Sequence, residues 1–352
     1  MKICFHLGIL IGICWILCSC DETFEVYAPP QDIWVVYGVL DAARDTQVIR
    51  VSKAFQINDD AIEFAATHDP SVRGLTVSLF GNGITYQAIP KDQVIKDTSS
   101  GSFGPSTHIY QIPTPAELAL KEGEQYQLTI RSEQEPDLLL QARTSIPPRP
   151  KIISPFIRRS LGEKCLPTVP FEDSAIVRFQ TNPNRIDAQA GAYEIRVLLA
   201  YKEDDISRSH HYGPTRLFSR SRGCTGIDGT LCYELKNGVV IRSLRTGFKN
   251  HLASYSYLSE PRCNSQFDPL SHAVEVQVTA IDSFLSTYIR ANDPFFLELN
   301  NVRPEYTNVE GSERTLGVFG SISYHNIPVG LSPCAEYLIG LREEQPFANC
   351  EL

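Results

Sequence analysis

The chain of 352 residues carries 32 lysines and arginines against 41 aspartates and glutamates, a formal net charge of -9 at pH 7. That balance excludes the basic footprint that a nucleic-acid backbone requires. A hydrophobic content of 42% excludes an intrinsically disordered chain and is ample for buried cores.

Residues 1–20 open with a single positive charge at Lys2, followed by a mostly apolar run from Ile3 to Leu17 and small residues ending at Cys20. The run is shorter than the ~20 residues that cross a bilayer and has the flanks of a secretory signal. Leu17-Cys18-Ser19-Cys20 resembles a bacterial lipobox, which makes residues 1–19 a signal peptide, Cys20 the lipidated first residue, and residues 20–32 a tether. Leu17-Cys18-Ser19 is a poor site for ordinary signal peptidase, and an uncleaved anchor lacks a basic flank because Asp21 and Glu22 follow at once. Two or more acyl chains on Cys20 would hold the protein at the membrane where one would not. Asp21, Glu22 and Glu25 look like the acidic export signal of Bacteroidota lipoproteins bound for the cell surface; the alternative is a plain acidic linker.

Between Asp21 and Pro148 there are 18 acidic and 9 basic residues, and from Arg149 onward 23 and 22. The first half is therefore acidic and the second nearly neutral. Six cysteines follow the signal: Cys165, Cys224, Cys232, Cys263, Cys334 and Cys350. An even number in an exported chain reads as disulfides, with about 15 pairings open. Short loops favour Cys224 with Cys232 and Cys334 with Cys350, leaving Cys165 for Cys263. Free buried thiols are the alternative, and no C-x-x-C pair suggests a metal.

Pro29-Pro30 stiffens the approach to the body. Ile33 to Leu40 is β-branched and aromatic, and Thr46 to Phe55 alternates apolar with polar, the mark of a half-buried strand. Leu75 to Phe80 alternates again, and Gly81-Asn82-Gly83 predicts a hairpin into Ile84 to Ile89. Further strands are expected at His108 to Ile112, Gln125 to Arg131 and Leu138 to Thr144. Seven short strands argue an immunoglobulin-like β-sandwich over residues 33–146. Within Gln56 to Gly74 a helical turn at Asp60 to Ala66 interrupts a long loop of the kind that carries binding.

Pro147-Pro148-Arg149-Pro150 reads as a semi-rigid junction. Beyond it a second, mainly antiparallel β domain with one short helix is expected over residues 151–352. Its strands are Ala175 to Gln180, Gly191 to Tyr201 and Ala273 to Ile281, with a hairpin at Asn237-Gly238 inside Leu231 to Leu244. Phe284, Leu285, Tyr288 and Ile289 fall at helical spacing, with Asp282 placed to cap. Leu316 to Tyr324 is the expected last strand, before a loop-rich tail holding two cysteines.

Trp34-Val35-Val36-Tyr37-Gly38 with VIRVSKAF, Gly123-Glu124-Gln125-Tyr126 with LTI, AVEVQVTAI running into FLSTYIRANDPF, Tyr306-Thr307-Asn308-Val309 and Leu316-Gly317-Val318-Phe319-Gly320-Ser321 together resemble a Bacteroidota lipoprotein family, domain of unknown function 4249. The likeness covers most of the mature chain and departs around Arg208 to Cys232. It implies an outer-membrane or surface lipoprotein of unassigned activity, accompanying a TonB-dependent transporter, and carries over no catalytic residues.

Adjacent His210-His211 would point to opposite faces of a strand, the wrong arrangement for one metal even with Glu203, Asp204 and Asp205 nearby. Asp59-Asp60 with Glu63 lacks the alternating donors and central glycine of a calcium loop. No G-x-S-x-G or phosphate-cradling motif occurs. Tyr255-Ser256-Tyr257, Phe295-Phe296, Tyr212 and Phe218 are aromatics available for recognition; Tyr255 and Tyr257 alternate onto one face, where core packing is the competing reading. The expectation is therefore a non-enzymatic, lipid-anchored binding or accessory module without cofactor, held in the outer membrane through Cys20 and facing the exterior. Its partners would be a transporter or an extracellular glycan or peptide, met by loops Gln56 to Gly74 and Arg208 to Cys232. The alternatives are a surface glycan hydrolase with an acid pair about 10 Å or less apart and a structural periplasmic lipoprotein.

Overall fold

In the segment WVVYGVLD the side chains alternate across the backbone. Trp34, Val36 and Leu40 are fully buried while Tyr37 and Val39 face outward, as a two-residue period dictates. This is strand β1 (Trp34–Asp41). It pairs antiparallel with β2 (Thr46–Lys53). The computed structural model describes residues 33–54, 67–95, 106–154, 159–160, 163–164, 168–169, 175–180, 190–203, 206–217, 230–235, 238–249, 255–256, 274–293, 306–311, 314–331, 333–340, 345 and 350.

The first half continues with β3 (Leu75–Gly81), β4 (Ile84–Gln87), β5 (Ile89–Ile95), β6 (Ser106–Pro113), β7 (Gln125–Ser132) and β8 (Leu139–Ser145). β5, β6, β2 and β1 lie side by side in one sheet, and β4, β3, β7 and β8 in another. Trp34, Val36, Ile49 and Val51 from the first meet Val77, Leu79, Leu128 and Ile130 from the second in one apolar core. Asn82 and Gly83 both take positive φ, 51° and 73°, the geometry of a tight turn matched to strand twist. The run Ile84 to Ile89, read as one strand from its composition, divides at Ala88. β4 pairs with β3, whereas β5 crosses to pair with β6. Alternation encodes which face is buried, not which neighbour is bonded.

The second half holds β9 (Lys151–Ser154), the two-residue strands β10 (Arg159–Ser160), β11 (Glu163–Lys164) and β12 (Thr168–Val169), and β13 (Ala175–Gln180). There follow β14 (Ala192–Glu203), β15 (Ile206–Leu217), β16 (Thr230–Leu235), α1 (Val239–Lys249), β17 (Tyr255–Ser256) and β18 (Val274–Ile281). The last described elements are α2 (Ser283–Ala291), β19 (Val309–Gly311), β20 (Thr315–Leu331) and α3 (Pro333–Ile339). The fold is all-β, and among the described residues three short α-helices can be traced, where the sequence suggested one. After Gly238 (φ 63°) the chain enters α1 instead of a second hairpin strand. Val240, Ile241 and Leu244 are buried while Arg242 is exposed, a helical stripe that a hairpin reading of the apolar run overlooks. The tail expected to be loop-rich begins with α3, tied by the Cys334–Cys350 disulfide.

β20 is the spine. It runs parallel to β1 from Trp34↔Thr315 to Asp41↔Ile322 and antiparallel to β18 from Ile281↔Ile322 to Val274↔Val329. The resulting main path is β15-β14-β18-β20-β1-β2-β6-β5, with β12 and β17 attached beside it. Phe319 enters the first core; Val329 and Leu331 enter a second core with Phe179, Ile195, Val197, Ile241 and Val276. Between them β20 carries buried Ser321 and Ser323, then His325, whose Nδ1 accepts from the Ile152 N–H at 3.2 Å. Burial, reinforced by the nearby Arg149 and Lys151 charges, lowers the His325 pKa. Hydrogen-bonded sheet thus runs past the proline-rich segment, and β19 and β20 complete sheets begun by β8 and β1.

Candidate recognition surface

Strand β18 ends where Asp282 turns the chain into α2. The Asp282 Oδ1 accepts from the Leu285 N–H at 2.7 Å, capping the helix as a short acidic side chain does best. Its backbone N–H donates to the Ser321 carbonyl at 3.0 Å, and its Oδ2 accepts from the hydroxyls of Thr144 and Ser321. Three elements far apart in sequence, β8, α2 and β20, therefore share one carboxyl group. Burial drives its pKa up to about 6, against the opposing pull of those donors.

Gly320 lets the helix close onto the sheet: a Cβ there would stand 2.6 Å from the Leu285 Cβ. Leu285 then packs with Ala192, Ile281 and Val318 in a small third core. So seated, α2 presents Tyr288 to β1. The Tyr288 hydroxyl donates to that of Tyr37 at 3.1 Å, and the rings meet edge to face with centroids 6.0 Å apart. Phe284 lies one turn earlier on the same side of the helix.

An apolar strip results on the outward face of β1, β2 and α2. Tyr37, Val39, Val48 and Phe284 are 40%, 39%, 40% and 38% exposed. Tyr37 is paired across the strands with Arg50, and the same register carried one step further sets Val39 opposite Val48. Arg50 is half-buried, its Nε is enclosed without a hydrogen-bond partner, and among the described residues its side chain joins no ion pair. Tyrosine, phenylalanine and arginine are the side chains enriched where proteins meet partners.

A second polar cluster lies at the start of β6. The Asp69 carboxylate accepts from the Ser71 N–H and hydroxyl, the Thr107 hydroxyl and the His108 N–H. Burial works to raise its pKa, but these donors prevail and lower it. The His108 Nδ1 lies 2.7 Å from Asp92, which also accepts from the Arg73 Nε at 2.9 Å. The bonds from Arg73 and His108 lower the Asp92 pKa. The imidazole is edge-on to Tyr110 at 4.8 Å and its Nε2 is enclosed without a partner. The Ser71 hydroxyl bonds Asp69 and Thr107 instead, so among the described residues no hydroxyl nucleophile meets this imidazole. The cluster fastens the returning chain to β6.

Among the residues singled out from sequence, Tyr212 packs half-buried against the second core, and Tyr255 begins β17, paired with β14. Cys334 and Cys350 are joined, their Cα atoms 5.3 Å apart, and Cys232 is disulfide-bonded. Cys20, Cys165, Cys224, Cys263, Phe218, Tyr257, the Phe295-Phe296 pair, the Asp59-Asp60-Glu63 group and the turn at Asp60 to Ala66 lie outside the described residues. His210 and His211 are successive residues of β15. That strand takes up the first part of the segment Arg208 to Cys232, where the sequence suggests a loop. Among the described residues no cluster of three histidine, cysteine or acidic side chains could hold a metal, and no helix is long and apolar enough to cross a membrane.

Sequence reasoning missed Tyr37, Val39, Val48, Arg50, Phe284 and Tyr288 as a group. A signal existed in β1, where valine and tyrosine fill the alternate positions that a half-solvated strand gives to polar residues.

A family model described as a domain of unknown function, DUF4249, matches residues 21–327. No curated protein matches the chain.

Proposed function

The chain belongs to the DUF4249 family, and we propose that it is a lipid-anchored recognition module of the outer membrane, facing the exterior and serving as the accessory of a membrane transporter. Cys20, freed by removal of residues 1–19, carries the acyl chains, and residues 20–32 form the leash. The observation that carries this reading is the exposed strip of Tyr37, Val39, Val48 and Phe284, mounted on a sheet and a capped helix rather than on loops. Rigid aromatic area of this kind binds without a large ordering cost.

Affinity capture of the full-length protein from detergent-solubilised outer membranes tests the reading. A transporter should co-purify, and mass spectrometry should find an acylated amino terminus at Cys20. Cys20→Ala should move the protein out of the membrane fraction. An unmodified chain still starting at Met1, or repeated capture of the protein alone, would refute the proposal.

A further inference from the structure

Resting on that reading, we propose that Tyr37 and Arg50 form the receiving site for a carboxylate on a protein partner, with Val39, Val48 and Phe284 as its apolar surround. The two residues are register partners on adjacent strands, a spacing of about 5 Å between Cβ atoms, so one oxygen pair can meet both. Tyr37 accepts a hydrogen from Tyr288, and among the described residues its own hydroxyl hydrogen meets no acceptor. Arg50 has a sheltered Nε and no counter-ion among the described residues. Three other arginines each meet an acid, Arg73 with Asp92, Arg149 with Glu122 and Arg196 with Glu194, whereas Arg50, half-buried on the outward face of the strip, does not. A guanidinium partly removed from water gains most from a planar carboxylate taken bidentately.

The charge pattern selects among occupants. A second copy packed face to face across a two-fold axis on this strip would set one Arg50 against another. An anionic lipid surface would meet the acidic half of the chain, with 18 acidic against 9 basic residues between Asp21 and Pro148, and be repelled. A protein surface with an aspartate or glutamate among apolar side chains satisfies both the cation and the strip.

The test places a photo-crosslinking amino acid at Val48 of the full-length protein in its own membrane. The product is mapped by mass spectrometry, and the same cells are fractionated. One partner peptide containing an acidic residue is expected. Arg50→Glu should cut the yield at least tenfold, and reversing the mapped acid to arginine should restore it. Tyr37→Phe, which keeps the ring, should weaken it by about three- to tenfold. Thermal melting confirms that each variant is folded. Cross-links only to a second copy, only to lipid, none at all, or a yield indifferent to Arg50→Glu would overturn the proposal. Fractionation and the state of Cys20 report separately on the anchored-module reading.

Discussion

Asp282 is held where its charge is poorly solvated, yet its donors keep it useful as a cap. The sign of its pH dependence follows from its pKa of about 6 against an ordinary value of 3.8. Below the ordinary value the group is protonated both folded and unfolded, and its contribution to stability is fully present. Between the two values the unfolded chain has released the proton while the folded chain retains it, so stability falls as pH rises and levels off above about 6. The loss amounts to on the order of 3 kcal/mol. Asp282→Asn keeps a good capping side chain and removes the titration. The difference in unfolding free energy between wild type and variant should therefore grow in the variant's favour between pH 4 and pH 7. Denaturant melts at the two pH values decide it, and parallel profiles would contradict the assignment. The cap itself was readable from the sequence, because Asp282 precedes an apolar stripe. Its contacts with Thr144 and Ser321 were not, since nothing local ties those positions together.

At the scale of elements, the early strands were legible because one face of each is buried and the alternation shows it. Partner choice was not: the split at Ala88 and the parallel pairing of β1 with β20 leave no mark on either segment. β20 was cut short for a physical reason. The expected strand stops at Tyr324 because His325, Asn326 and then Pro328 follow, residue types that read as a strand's end, while the strand in fact continues to Leu331. The seating of α2 depends on Gly320. Gly320→Ala would push a methyl group to within 2.6 Å of the Leu285 Cβ, costing about 1–3 kcal/mol. It should also part Tyr288 from Tyr37, seen as a changed tyrosine near-ultraviolet signal alongside a lowered denaturation midpoint. An unchanged midpoint would mean that the helix does not rest there.

For the whole molecule, the class of fold was readable and the recognition strip was hidden, because Tyr37, Val39 and Val48 have the composition of a core. The core of the first sandwich also draws on Val309 and Phe319 from the far end of the chain. A fragment of residues 33–146 is accordingly expected to be protease-sensitive and aggregation-prone, with the β1 edge bare. Adding residues 306–331 through a flexible linker should give a cooperative melt, and a fragment that melts cooperatively unaided would refute this. The parallel seam between β1 and β20 sets an order of events in the living cell. A polypeptide made amino end first delivers β1 long before its mate in β20. Closure of the long sheet must await the arrival of β20, and until then the β1 edge stands open to any other strand it meets.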